Sequence, residues 1–377
     1  WFLWNKYSKP KVFVSLTEPA AYAQKYFEAE DFVSAIENYK KAIELDPNNS
    51  NNYNALGSSY FTIEKYDDAL ANYQKTLQVD PNNFAALASI GSVDRNKGNY
   101  EQALHYYNLS LSVNPNYAYA YDGLGTTYYF MHDNDNAIKF LSKAYEIDPR
   151  LRYTASFLAD AYLLKEDYNS VLKLANDKLR YDPNSYDMHS YLGFTYLMKN
   201  EVEPAIFFYK KAINLTPQTN LRRISYNNAG LGLAYLRHKE YDKAKSHFEM
   251  ALSYRGVPVA YGGLAATYYL LGNTGKSNEN FVKMDIEGTL ERDKPIRSLD
   301  IRAVALIYWD HKAYEKAIQH YSISIKLDPN NYVLYQELGK IYLEIGDKEK
   351  AIENLKKSLG LNKDNAEVQK TLSEITT

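Results

Sequence analysis

The chain has 377 residues, of which 45% are hydrophobic and 24% charged, with a formal net charge of −2. That much apolar surface supports an ordered core, while a near-neutral balance with no run of lysine or arginine leaves no basic face for nucleic acid. With no cysteine, disulfides, cysteine-ligated zinc and thiol catalysis are excluded. The 38 tyrosines, against 14 phenylalanines and 3 tryptophans, are rings with a polar tip and suit positions half inside an interface.

Residues 1–15 read as a tail. Trp1-Phe2-Leu3-Trp4 is followed by Lys6, Lys9 and Lys11, the aromatic-then-basic order found at the edge of a membrane segment. Two readings stay open: the boundary of a membrane-tethered protein, or aromatics that pack on the first folded element.

From there the sequence repeats. Pro47, Pro81, Pro115, Pro149, Pro183 and Pro217 stand 34 residues apart, most inside a cluster such as Asp80-Pro81-Asn82-Asn83. Such clusters end helices, because proline has no donor and asparagine tolerates turn geometry. The intervening residues keep the same phase. A small residue follows an apolar one at Leu56-Gly57, Ile90-Gly91, Leu124-Gly125, Leu158-Ala159 and Leu192-Gly193, and an aromatic recurs at Tyr60, Tyr128, Tyr162 and Tyr196. Alanine then comes at Ala35, Ala69, Ala103, Ala137 and Ala205, with Val171 as the exception, followed by Tyr39, Tyr73, Tyr107, Leu141 or Tyr209. Each block predicts two amphipathic helices joined by a tight turn, with small residues where the backbones approach closely.

Six such units fill residues 16–217. Four more follow over 218–364, carrying Leu231-Gly232, Leu264-Ala265, Val304-Ala305 and Leu338-Gly339. Their register is displaced by extra residues at 219–224 and 285–297, read as exposed insertions. Residues 365–377 predict an end helix turning Val368 and Leu372 inward, because a stacked array needs a cap.

This pattern resembles the tetratricopeptide repeat, and the likeness runs from about Leu16 to Asp364. The resemblance implies an all-α solenoid, a right-handed superhelix whose first helices line a concave groove and whose second helices face outward. It also implies a non-catalytic scaffold that holds a peptide or protein partner in that groove, as an assembly or adaptor factor. Two alternatives are the recognition region of a larger enzyme whose catalytic domain lies elsewhere, and an envelope-tethered assembly factor for a secretion, pilus or flagellar apparatus. Partner contact is expected at the variable groove positions: Tyr119, Asp122, Thr126 and Tyr129; Tyr153, Ser156, Asp160 and Leu163; Ser190, Phe194 and Leu197; Tyr226 and Leu233. Tyr129, Phe194 and Leu233 would be the anchors, and Asp122 and Asp160 would favour basic ligands. The lysine, asparagine and arginine set with which chaperone-adaptor members clamp a terminal carboxylate is missing; Ala20, Gln24, Ala55, Ala85 and Ser89 stand in its places, and Arg95 and Lys97 nearby do not rebuild it.

Nothing else points to chemistry. The seven histidines make no His-Glu-x-x-His. Gly123-Leu124-Gly125 and Gly230-Leu231-Gly232 fall inside predicted helices, not after a strand as a phosphate-binding loop requires. No cofactor, metal or small-molecule substrate is expected.

Overall fold

A computed structural model describes residues 18–254, 257–284 and 294–376. The tail at Trp1–Lys11, with its two readings, lies outside them. Among the described residues there are twenty-one α-helices and no strand, and no helix is long and apolar enough to cross a membrane.

The helices pair into ten hairpins. The first four are α1 (Glu18–Glu28) with α2 (Phe32–Leu45), α3 (Ser50–Thr62) with α4 (Tyr66–Val79), α5 (Phe84–Lys97) with α6 (Tyr100–Val113), and α7 (Ala118–Phe130) with α8 (Asn134–Ile147). Next come α9 (Arg152–Leu164) with α10 (Tyr168–Tyr181), α11 (Tyr186–Met198) with α12 (Val202–Leu215), and α13 (Leu221–Arg237) with α14 (Tyr241–Tyr254). The last three are α15 (Pro258–Leu270) with α16 (Thr274–Lys283), α17 (Lys294–Asp310) with α18 (Tyr314–Leu327), and α19 (Tyr332–Glu344) with α20 (Lys348–Leu361); α21 (Ala366–Thr376) closes the array and buries Val368. The chain is an all-α solenoid of the tetratricopeptide type.

Two expectations change. Leu221–Ile224 and Lys294–Arg297, the ends of the two stretches read as insertions, are helical, while 285–293 lie outside the described residues. These ends lengthen α13 and α17 to 17 residues where most first helices have 13, so they are not exposed loops. His320, on α18, the second helix of its hairpin, is fully buried against the rings of Phe281 and Tyr308.

The turns follow from their residues. At the Asp-Pro-Asn-Asn clusters Asp46 and Asp80 end one helix through backbone bonds to Ala42 and Thr76, and Asn49 and Asn83 cap the next at Asn51 and Ala86. Within the hairpins every turn needs one residue in the left-handed region. Gly98, Gly272 and Gly346 supply it in three; Glu30, Glu64, His132, Glu166, Asn200, Lys239 and Lys312 do so in seven, each at some cost in backbone strain.

The repeated glycines explain the packing. Tyr107 stands between Gly91 of its own hairpin and Gly123 of the next; a methyl group on Gly123 would lie 2.2 Å from its ring. Tyr209 sits in the same way between Gly193 and Gly230. A ring on the second helix is thus gripped by two successive first helices, and only a missing side chain leaves room for it. The Gly-Leu-Gly segments are packing surfaces.

By packing, the molecule divides into two compact units, the first ending at Ala161 and the second beginning at Tyr162. Within each, first helices touch the first helix of the next hairpin: α3–α5 and α5–α7 in one, α11–α13, α13–α15 and α15–α17 in the other.

Candidate partner-binding surface

In the first unit the 34-residue period aligns side chains across the inner row of helices. One row reads Asn54, Ala88, Asp122 and Ser156; the next, one helical turn along, reads Ser58, Ser92, Thr126 and Asp160. All but Ala88 are polar, so the floor of this face is hydroxyl, amide and carboxylate. Tyr153 is 46% exposed at its edge, and Tyr119, Ser156 and Asp160 are half-buried.

The polar floor is knitted together. The Ser92 hydroxyl donates to the Ala88 carbonyl at 3.1 Å and lies 3.0 Å from the Tyr107 hydroxyl and 2.8 Å from that of Tyr119. With its proton on Ala88, Ser92 accepts from both tyrosines. The Thr154 hydroxyl donates to one oxygen of Asp122. Burial raises the Asp122 carboxyl above its usual range, while the Thr154 bond and the nearby Arg95 charge hold it down. The Thr126 hydroxyl is buried with no hydrogen bond among the described residues.

Arg95 completes the set and was missed as a contact. It stands 34 residues before Tyr129, at the same groove position, so the register that chose Tyr129 also marks it. The residue is half-buried, and its guanidinium makes no ion pair or hydrogen bond among the described residues. Burial works against its charge, but the oxygens of Tyr107, Tyr119 and Asp122 outweigh that and raise it above the usual range. Beside that cation, Asp122 is not the lone carboxylate that would favour basic ligands.

Several expected contacts are instead internal. Tyr129 is 6% exposed and packs its ring on Phe130 and Phe157. Leu163, Leu197 and Leu233 are also buried, Leu197 and Leu233 within one apolar core. The cause is chemical: an apolar side chain at these positions buries itself against the neighbouring hairpin. Tyr129 and Leu233 therefore do not serve as anchors, and Phe194 is half-buried against the same core as Leu233.

The second unit fills its inner face with its own groups. The Ser190 hydroxyl donates to Asn227 at 2.6 Å, and Tyr226 is covered by the Arg297 guanidinium, 4.6 Å from the ring centre. Arg302, 4% exposed, donates two bonds of 2.7 Å to Glu337, and further bonds to Glu166 and to the Tyr168 hydroxyl. Beside it lies a cleft of about 500 Å³, in which Glu367 accepts from Lys340 and Gln336, and Asn365 donates to Gln336. Among the described residues no group of His, Asp or Glu is placed to hold a metal ion.

Sequence models of the tetratricopeptide repeat match residues 23–63, 51–83, 83–150 and 308–375, together more than half of the chain. No curated protein matches. Among solved structures, a tetratricopeptide repeat protein from Parabacteroides merdae is 20% identical over 71% of this chain and 97% of its own, with a TM-score of 0.47. The MamA protein is 27% identical over 43% and 88%, with a TM-score of 0.36. YrrB, described as a TPR protein with an unusual peptide-binding site, is 23% identical over 49% and 95%, with a TM-score of 0.39. The chain belongs to the tetratricopeptide-repeat family, whose stacked helical hairpins act as protein-interaction scaffolds.

Proposed function

We propose that this chain is a non-catalytic adaptor or assembly factor that holds an extended segment of a partner protein along the inner face of its first unit. The observation that carries the reading is Arg95: a half-buried cation on that face that makes no ion pair or hydrogen bond among the described residues. Around it stand Tyr119, Asp122 and Thr126, and Tyr153, Ser156 and Asp160 follow on α9. Charged groups taken out of water without a partner are costly, and an arginine left so is explained when a ligand supplies the missing acceptor. Tyr119 and Tyr153 add rigid, amphipathic contact area of the kind that dominates binding energy at interfaces.

The test is capture of a partner from the native source by the whole chain. Arg95→Gln combined with Tyr153→Ala is then compared with an outer-face pair, Gln102→Ala with Lys139→Ala. Loss of capture with the first pair and retention with the second is the expected result. The reverse, with both proteins folded, places the partner on the outer helices and ends the proposal.

A further inference from the structure

Resting on that reading of the first unit's inner face, we infer that the partner presents a side-chain carboxamide, an asparagine or glutamine, to the space between Arg95 and Asp122. The two residues lie on adjacent first helices, α5 and α7, close enough to bias each other's charge, yet no ion pair joins them. Arg95 offers a fork of donors with no hydrogen-bond acceptor among the described residues. Asp122 has one oxygen taken by Thr154, and its other oxygen remains an acceptor. The Thr126 hydroxyl, one turn further along α7, is 2% exposed and has no hydrogen bond among the described residues.

Charge decides among ligands. A carboxylate would satisfy Arg95 but bring a second anion against Asp122. An ammonium or guanidinium would satisfy Asp122 but crowd Arg95. Each charged ligand meets one favourable and one repulsive neighbour in a partly desolvated site, where like-charge contacts are least screened. A primary carboxamide carries an acceptor oxygen and donor hydrogens on one small planar group. Its oxygen meets the Arg95 fork, and its amide hydrogens meet the free Asp122 oxygen. A peptide group of the main chain has the same atoms but is common to every sequence, so the two sources are separable by changing the side chain alone.

The experiment uses the whole chain with ¹⁵N-labelled arginine, whose Nε–Hε signal at Arg95 is identified by its loss in Arg95→Gln. Four capped pentapeptides, identical alanine hosts with a central glutamine, glutamate, lysine or methionine, are titrated in at low salt. The glutamine peptide is expected to shift the Arg95 signal saturably, with an affinity about tenfold above that of the other three, the effect of one neutral hydrogen-bonding group. Asp122→Asn removes the anion and is expected to move the preference from glutamine to glutamate while the fold is kept. An equal shift by all four peptides means main-chain binding, which overturns the carboxamide inference but leaves the inner-face reading standing. A preference for glutamate or lysine in the unsubstituted chain overturns the inference in the same way. Silence at Arg95 with all four, together with partner capture lost only in the outer-face pair, overturns both.

Discussion

Each unit carries an arginine on its inner row of helices, and the two are held in opposite ways. Arg302 in the second is buried and bound to two carboxylates, Glu337 and Glu166, the latter from a hairpin turn far back in the chain. Arg95 in the first is half-buried among the oxygens of Tyr107, Tyr119 and Asp122 and makes no ion pair or hydrogen bond among the described residues. The contrast extends to their surroundings. Around Arg302 the cleft polar groups answer one another and Tyr226 is capped by Arg297. Around Arg95 the Thr126 hydroxyl has no hydrogen bond among the described residues. One repeat architecture thus uses the same residue type to close a surface and to leave one open, and the difference lies in whether carboxylates from elsewhere in the chain reach it.

The largest effect is expected where the surface is closed. Arg302→Ala leaves Glu337 and Glu166 facing each other without their cation, at a cost of about 3–5 kcal/mol. Denaturant unfolding measures it, and a variant as stable as the parent would show that Arg302 is no more structural than Arg95. Next comes His320, also in the second unit. Its Nδ1 hydrogen bonds the Lys316 carbonyl at 2.8 Å, and burial lowers it from 6.5 to about 4. Its folded form resists protonation, so the stability it contributes is complete above pH 6.5 and is lost as pH falls toward 4. The full term is roughly 3 kcal/mol. Over that window the parent should lose more stability than His320→Phe, which has nothing to titrate; identical pH profiles would remove the histidine from the account.

How much of this was readable beforehand differs between fold and surface. The 34-residue period placed Ala137, Tyr107 and Gly123 at buried contacts, because packing demands recur with every repeat. It did not reveal that Leu221–Ile224 and Lys294–Arg297 are helical, since a longer helix and a loop insertion shift the register alike. The groove positions share one register but differ as surface. Tyr129 and Leu233 follow the pattern of Asp122 and Ser156, but their apolar side chains turn into the next hairpin. Arg95 occupied one of the same positions and was passed over because its value depends on what fails to reach it. The pairing of Arg302 with Glu166 was beyond any repeat-based reading, being a single contact across 136 residues.

A smaller effect tests the frame of the open unit. Gly123→Ala pushes a methyl group into the Tyr107 ring, which is held on its other side by Gly91. Overpacking of this kind costs about 1–3 kcal/mol. The neighbouring Ala137→Leu, at a position with no exposed surface, belongs in the same range. Thermal melts that do not move with either change would mean that these hairpins are not gripped as described, and the polar rows built on them would lose their alignment.

The smallest effect is expected at Arg95, and it is the one that most sharpens the comparison. Deleting a side chain usually destabilises through the partners it leaves behind, yet here no hydrogen bond or ion pair is lost among the described residues. Two opposing terms remain: relief from holding a charge partly out of water, and loss of its attraction to Asp122 and the oxygens of Tyr107 and Tyr119. The attraction outweighs the relief, so Arg95→Ala should destabilise the fold only slightly, by about 0.5 kcal/mol, the range of ordinary surface positions. Partner capture should nonetheless fall. That dissociation of stability from binding separates a residue kept for a ligand from one kept for the fold. If Arg95→Ala unfolds as readily as Arg302→Ala, both arginines are structural and the first unit offers no open site.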